Sequence, residues 1–386
     1  MTDAQIVDRI RAELPAVQRY VYLNTGTAGP LSHRTADALA ALASAELTQG
    51  RIHPDNYEPI MATINELREH LARLMGADVD EIALTHHTTD GMNIATWGLN
   101  WRPGDELLTT NLEHEGGLLP LYMVRQRFGV TIRFANLGLG GGDVAARIEQ
   151  AITPRTRLLS ISHVSFRTGA LLPLDEIVDV AHRHGVLVVV DGAQSAGAIP
   201  VDMHALGVDF YAIPGQKWLC GPEGTGALYV RRDRISELNP TFVGYFSTEG
   251  SPPMDMTGYF MPAPGARRYE VSTMYYPGLA GWLESLRWLE ELGSEWIYGR
   301  IQVITGRWRA MLDSIPGAGL LTPASYAGLT SFTVEGLDPE QATQALVEQG
   351  ILIRYVDQPY CLRVSTGFYN NENDLVCLRD ALERLV

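Results

Sequence analysis

Between residues 57 and 231 the chain alternates short apolar runs with stretches of helical periodicity. The runs are EIALT (81–85), DELLTT (105–110), VTIRFA (130–135), RLLSISHV (157–164), VLVVVD (186–191), DFYAIP (209–214) and GALYVRR (226–232). Helical patterns at 57–76, 114–128, 143–152 and 174–184 separate several of them. Parallel strands need a crossover, and a crossover helix covers one face of the sheet, so this alternation predicts a doubly wound α/β fold. Val186–Val190 contains no polar residue, as a strand buried on both faces requires. A mostly parallel seven-stranded sheet is expected, with ligand chemistry at the carboxyl ends of its strands.

After about residue 275 the pattern changes. Residues 278–312 read as one long helix, and Pro316, Gly317, Gly319 and Pro323 mark a break. SFTVEG (331–336), a helix near 339–349, ILIRYV (351–356), CLRVST (361–366) and a final helix at 371–385 form a small α+β unit. A chain of 386 residues exceeds what one core usually holds. Two domains are expected, a large one over 20–275 and a small C-terminal one over 276–386, with residues 1–19 packed on the second.

The formal charge of −15 argues against nucleic acid and anionic membranes as partners, since both need a basic face. It leaves room for a locally built phosphate site. Cys220, Cys361 and Cys377 are scattered and odd in number, which fits a reducing compartment rather than a disulfide framework. The N-terminus lacks the apolar core of a signal peptide, and no run of about 18 apolar residues occurs. A soluble, cytoplasmic protein is expected.

Asp191 closes the most apolar strand, and Lys217 follows 26 residues later in a Gly/Pro-rich turn at the same predicted sheet edge. A buried acid and a lysine brought together there suit pyridoxal 5′-phosphate (PLP): the lysine forms a Schiff base, and the acid faces the pyridinium nitrogen. Gln194 can hydrogen-bond the ring hydroxyl. The ordinary alternatives are a turn aspartate and a solvated lysine, and the shared edge weighs against both. Thr88, Thr89 and Gly91 sit where a strand leads into a helix, an anion site or a plain N-cap. His114, after the second strand, can stack on a ring or serve as a surface residue at a helix start. HVSFRTG (163–169) brings Phe166, Arg167 and Thr168 to the same edge, or merely closes a loop on Gly169. Arg363 on a small-domain strand can clamp a carboxylate, with Arg354 as its competitor. LGLGGGD (137–143) lacks the spacing of a nucleotide loop, and no HExxH, paired CxxC or GxSxG occurs, so no metal site is expected.

Together these residues resemble the class V aminotransferase family of fold-type I PLP enzymes over roughly 20–385. The segment DGAQSAGAIPVDMHALGVDFYAIPGQKWLCGPEGTGALYV carries the resemblance. It implies Lys217 as the Schiff-base lysine, Asp191 as the pyridinium partner, Gln194 on the ring hydroxyl and His114 as the stacking ring. It also implies Thr88 and Thr89 on the phosphate, with Gln216 as a weaker donor, and Arg363 on the substrate carboxylate. Thr273, in RRYEVSTMYY, matches a position that reaches the neighbouring subunit's phosphate, which implies a homodimer with shared active sites.

The chain departs from the family pattern in places. Pro214, Gly215 and Gln216 stand where Ser/Thr, Gly and His are usual, and Phe166 replaces an asparagine common in cysteine desulfurases. Desulfurases also carry a nucleophilic cysteine on a loop before the carboxylate arginine. Here Cys361 falls inside a predicted strand, which disfavours a persulfide on the enzyme. GAQSAGAIPVD, YVRRDRISELNPTFVGYFS and RRYEVSTMYYPGLAG look closest to cysteine/cystine C–S lyases and isopenicillin N epimerase. The expected reaction is β-elimination from a sulfur-containing amino acid, giving an α-keto acid and ammonia. Transamination or epimerisation, cysteine desulfuration and a non-catalytic scaffold are the rivals. Side-chain selectivity is expected from loops near 50–57, 244–262 and 355–360.

Overall fold

The computed structural model describes residues 2–249 and 257–386, so residues 250–256 of the expected selectivity loop lie outside the described residues. Seven strands form the large sheet in the order Ile82–Thr85, Gly226–Val230, Phe210–Pro214, Leu187–Asp191, Thr156–Ser162, Glu106–Thr110, Thr131–Ala135. Gly226–Val230 alone runs against the others, pairing antiparallel with both neighbours. The remaining pairs are parallel.

Side chains on these strands alternate between two apolar cores. Val188, Val190, Leu159, Ile161, Tyr211 and Ile213 join one core, and Val189, Leu158, Phe210 and Ala212 join the other. The period of two is therefore present, but both faces are apolar, and the sequence shows it as an unbroken apolar run. Helices Thr88–Trp97, Glu115–Phe128, Val144–Ala151 and Leu174–Arg183 fall between successive strands.

A second, antiparallel sheet has the order Arg354–Asp357, Tyr360–Ser365, Leu329–Val334, Ala318–Leu320. Its core gathers Trp308, Phe332, Leu362, Val364, Leu375 and Leu378. The helix Asp3–Glu13, closed by a Thr2–Gln5 capping box, docks against the C-terminal helix Glu372–Glu383. Arg11 makes that contact, reaching Asp374 at 2.9 Å and the Tyr369 carbonyl at 3.1 Å. Among the described residues no helix is long and apolar enough to cross a membrane.

Two expectations need correction. The helix predicted over 278–312 is two helices, Tyr276–Leu292 and Ser294–Leu312. Gly293 between them has φ 87°, a left-handed conformation that only glycine adopts without strain. The single strand predicted over 351–356 is also divided. Ile351–Leu352 pairs in parallel with Val21–Tyr22, whereas Arg354–Asp357 pairs with Tyr360–Ser365. One stretch of chain thus serves two sheets, and Ile353 is the joint.

Candidate active site

The carboxyl ends of five parallel strands meet around a cavity of 240 Å³. Lys217, Asp191, Gln194, Thr88, Thr89, His114, Gln216 and Arg363 all line it. Two roomier hollows, of 510 and 640 Å³, hold none of them. Thr273 does not reach this cavity. It is exposed beside a separate hollow, where its hydroxyl bonds that of Tyr245.

Lys217 is the sole lysine among the 30 Lys and Arg residues of the chain. It sits in a turn packed too tightly for ordinary side chains: a Cβ on Gly215 would stand 2.1 Å from Thr225 Oγ1. Burial strips water from the ammonium and lowers its pKa to about 8. The Arg363 and Arg354 charges push the same way, and Asp191 opposes them. Asp191 is 7% exposed, and its Oδ1 accepts the Ala193 N–H at 2.9 Å.

Gln194 is held at both ends of its amide. Nε2 donates to the Gly26 carbonyl at 2.8 Å, and Oε1 accepts from Trp218 Nε1 at 2.9 Å. One amide hydrogen remains for a ligand. His114 caps the Glu115–Phe128 helix, its Nδ1 accepting the Gly116 N–H at 2.9 Å. The neutral ring therefore carries its proton on Nε2, and burial lowers its pKa. Phe166 meets it edge-on, 4.7 Å between centroids. Behind His114, Glu113 is buried and accepts hydroxyls from Thr110 at 2.5 Å and Ser162 at 2.6 Å. Desolvation raises the Glu113 carboxyl to about 7.

At the other end of the cavity, Thr88 Oγ1 and Gln216 Oε1 are buried without partners. Thr88 opens the ten-residue helix Thr88–Trp97, whose first N–H groups are unsatisfied within the helix. The Gln216 amide, rotated half a turn, points two donors at the same space. Pro214 lines the cavity with no side-chain donor.

Arg363 is 0% exposed and pairs with no carboxylate among the described residues. Nη1 donates to the Phe166 carbonyl at 3.0 Å and Nη2 to Thr27 Oγ1 at 3.3 Å, while Nε has no partner. Burial lowers it to about 9, still charged at neutral pH. A buried, unpaired cation is costly, and an incoming anion removes that cost. Arg354 lines the same cavity, directly opposite Arg363 on the neighbouring strand. Like charges facing across a strand pair destabilise a sheet, a cost that an anion between the two arginines would relieve. In the sequence alone, Arg354 stands only as a rival to Arg363. The signal that unites them is the pairing of ILIRYV with CLRVST.

The family model for aminotransferase class V matches residues 21–378. The chain belongs to that family. A probable cysteine desulfurase of Methanothermobacter thermautotrophicus is 30% identical, with 97% of each chain covered. Isopenicillin N epimerase of Streptomyces clavuligerus is 32% identical, covering 95% of this chain and 94% of its own. Among solved structures, the cystine C–S lyase C-DES in complex with its reaction product cysteine persulfide is 35% identical. That pair superposes with a TM-score of 0.91 over 96% of this chain and 99% of the other. A lysine-to-alanine variant of C-DES, with glycine covalently linked to its PLP cofactor, gives a TM-score of 0.92 at 35% identity over 97% and 98%.

Within this class V chain, a lone amine, a buried acid, a remaining amide hydrogen and orphaned neutral donors at a helix start fit PLP. The three cysteines stand apart from the cavity lining. Cys361 is 0% exposed in the strand Tyr360–Ser365, and burial pushes its thiol up to about 11. Cys220 is buried and raised to about 12, and Cys377 is exposed on the last helix. Asp78, Glu81 and His204 gather elsewhere, but Glu81 already takes His204 at 2.7 Å and Arg232 holds Asp78 at 2.7 Å.

Proposed function

We propose that this protein uses PLP to cleave the Cβ–S bond of a sulfur-containing amino acid by β-elimination, with cystine the preferred substrate. The carrying observation is the pair Arg363 and Arg354, two facing cations in one cavity with Lys217. Cystine has two α-carboxylates, and cysteine has one. The bound cofactor supplies an electron sink for the α-carbon.

Lys217 would hold the cofactor through its amine, and that same amine, when free, would take the α-proton. A pKa near 8 leaves a useful neutral fraction at physiological pH. With PLP bound, Asp191 would face the ring nitrogen and favour its protonated form, Gln194 would offer its remaining amide hydrogen to the ring hydroxyl, and the His114 ring would lie against the cofactor. Thr88, Thr89 and Gln216 hold the phosphate with uncharged donors. Arg363 clamps the α-carboxylate beside the breaking bond, and Arg354 takes the distal one. Loss of the α-proton and of the β-sulfur releases cysteine persulfide, and the three-carbon remainder hydrolyses to pyruvate and ammonia.

The buried, poorly acidic Cys361 argues against a persulfide carried on the enzyme. Epimerisation is the second reading. The 32% identical epimerase favours it, and His114 is a second proton carrier in the same cavity. A homodimer is part of the proposal, Thr273 of each chain reaching the cofactor phosphate of the other. The exposed Phe242, Val271 and Tyr275 beside Thr273 support it. So are the two-domain division near residue 275 and, on three free thiols, a cytoplasmic setting. The test is incubation of the holoenzyme with L-cystine: pyruvate and persulfide support elimination, and a D-amino acid without pyruvate supports the rival.

A further inference from the structure

Phe166 and Arg167 follow the strand Thr156–Ser162 and stand where the two sheets meet. The Arg167 side chain is 12% exposed. Nε donates to the Glu113 carbonyl at 3.2 Å, Nη1 to the Gln358 carbonyl at 3.0 Å, and Nη2 to the Glu115 carboxylate at 3.4 Å. The guanidinium lies 5.0 Å from the Phe166 ring centroid. The Arg167 carbonyl in turn accepts the Ser331 hydroxyl at 2.8 Å.

These acceptors belong to elements that carry cavity residues. Glu113 immediately precedes His114. Gln358 lies in the turn joining Arg354–Asp357 to Tyr360–Ser365, the hairpin that bears Arg354 and Arg363. Phe166, next in the chain, touches both sides as well: its ring meets His114 and its carbonyl holds Arg363. A guanidinium has donors on three nitrogens in a rigid plane, so it can hold two diverging carbonyls at one spacing. The single ammonium of lysine cannot.

We propose that Arg167 is a positioning residue that sets the distance between the His114 loop and the two-arginine hairpin. It thereby holds both arginines of that hairpin at a set distance from His114, in the register that an amino acid with two carboxylates needs. The selectivity rests on the two-carboxylate reading above, whereas the bridge itself does not.

Arg167→Met in the holoenzyme separates the two. Hydrogen exchange across residues 355–360 should rise roughly tenfold or more, with the Leu187–Asp191 strand unchanged, because the hairpin turn loses its tie. KM for cystine should rise roughly 10- to 100-fold, with kcat within about threefold and cofactor affinity unchanged. An S-alkyl cysteine, with one carboxylate, should lose less. Arg167→Lys, which keeps the charge but gathers its donors on one nitrogen, should recover part of both effects. Unchanged exchange at 355–360 overturns the bridge. A fall in cofactor affinity matching the rise in KM shows general damage and overturns the positioning role. If the wild-type protein does not turn over cystine at all, the two-carboxylate reading and the selectivity with it fail, and the exchange data still decide whether Arg167 ties the hairpin.

Discussion

With one lysine in 386 residues, an amine-directed reagent reports on Lys217 and the terminal α-amino group alone. Peptide mapping separates the two, so the protonation state of the central residue can be read in the apoprotein without any turnover. Burial and two neighbouring arginines bring Lys217 to about 8. At pH 7 that leaves about 1 molecule in 11 with a neutral amine, against roughly 1 in 3,000 at an ordinary lysine pKa. Labelling by trinitrobenzenesulfonate should therefore climb about tenfold per pH unit up to pH 7, about fivefold from pH 7 to 8, and flatten near pH 9. Asp191→Asn removes the charge that favours the ammonium, so its plateau should arrive at lower pH. Arg363→Met removes a repelling charge, so its plateau should arrive at higher pH. Urea-unfolded protein should show no plateau before about pH 10. A folded-state rate that still climbs tenfold between pH 9 and 10 would refute the argument that the cavity activates this amine.

Three further outcomes follow from the same contacts. Arg363→Ala should raise KM for cystine about 10- to 100-fold, since charge-assisted hydrogen bonds contribute about 1.5–3 kcal/mol each, and steady-state kinetics read it. Cys361→Ala should keep turnover within about threefold; loss of activity would restore the desulfurase mechanism. His163 is buried and lowered to about 4, so its stabilising contribution is intact above about pH 6.5 and lost as pH falls towards 4, up to about 3 kcal/mol. Glu113, raised to about 7, acts in the opposite sense, its contribution present below about pH 4.5 and lost as pH rises through 7. Urea midpoints of His163→Gln should therefore decline less than wild type on going from pH 6.5 to 4.5, and a parallel decline would contradict the buried neutral ring.

The inner strands were legible as short apolar runs, which a sheet covered on both faces buries, whereas the edge strand Thr131–Ala135 is largely exposed. Asp191, His114 and Lys217 were legible because strand ends in this architecture converge. Other features depend on backbone geometry that composition does not encode. Gly293 sits inside an unbroken helical pattern, and only its φ of 87° reveals the break. Ala318–Leu320 hides in a Gly/Pro-rich stretch, because it pairs as a three-residue edge strand. Arg354 joins Arg363 only through hairpin register, and Phe166 holds Arg363 through a carbonyl, which no side-chain pattern announces. The plainest signal for Lys217 lies in the composition itself, since no other lysine exists to compete for the role.

Elimination at a cofactor bound to Lys217 would release the sulfur as a free persulfide. The direct measurement is the product balance from L-cystine and the holoenzyme under anaerobic conditions, with borohydride trapping of the cofactor on the same sample. Elimination requires equal amounts of pyruvate, ammonia and cysteine persulfide, and one phosphopyridoxyl group per chain on Lys217. Alanine in place of pyruvate, with sulfur retained on a protein cysteine, contradicts it.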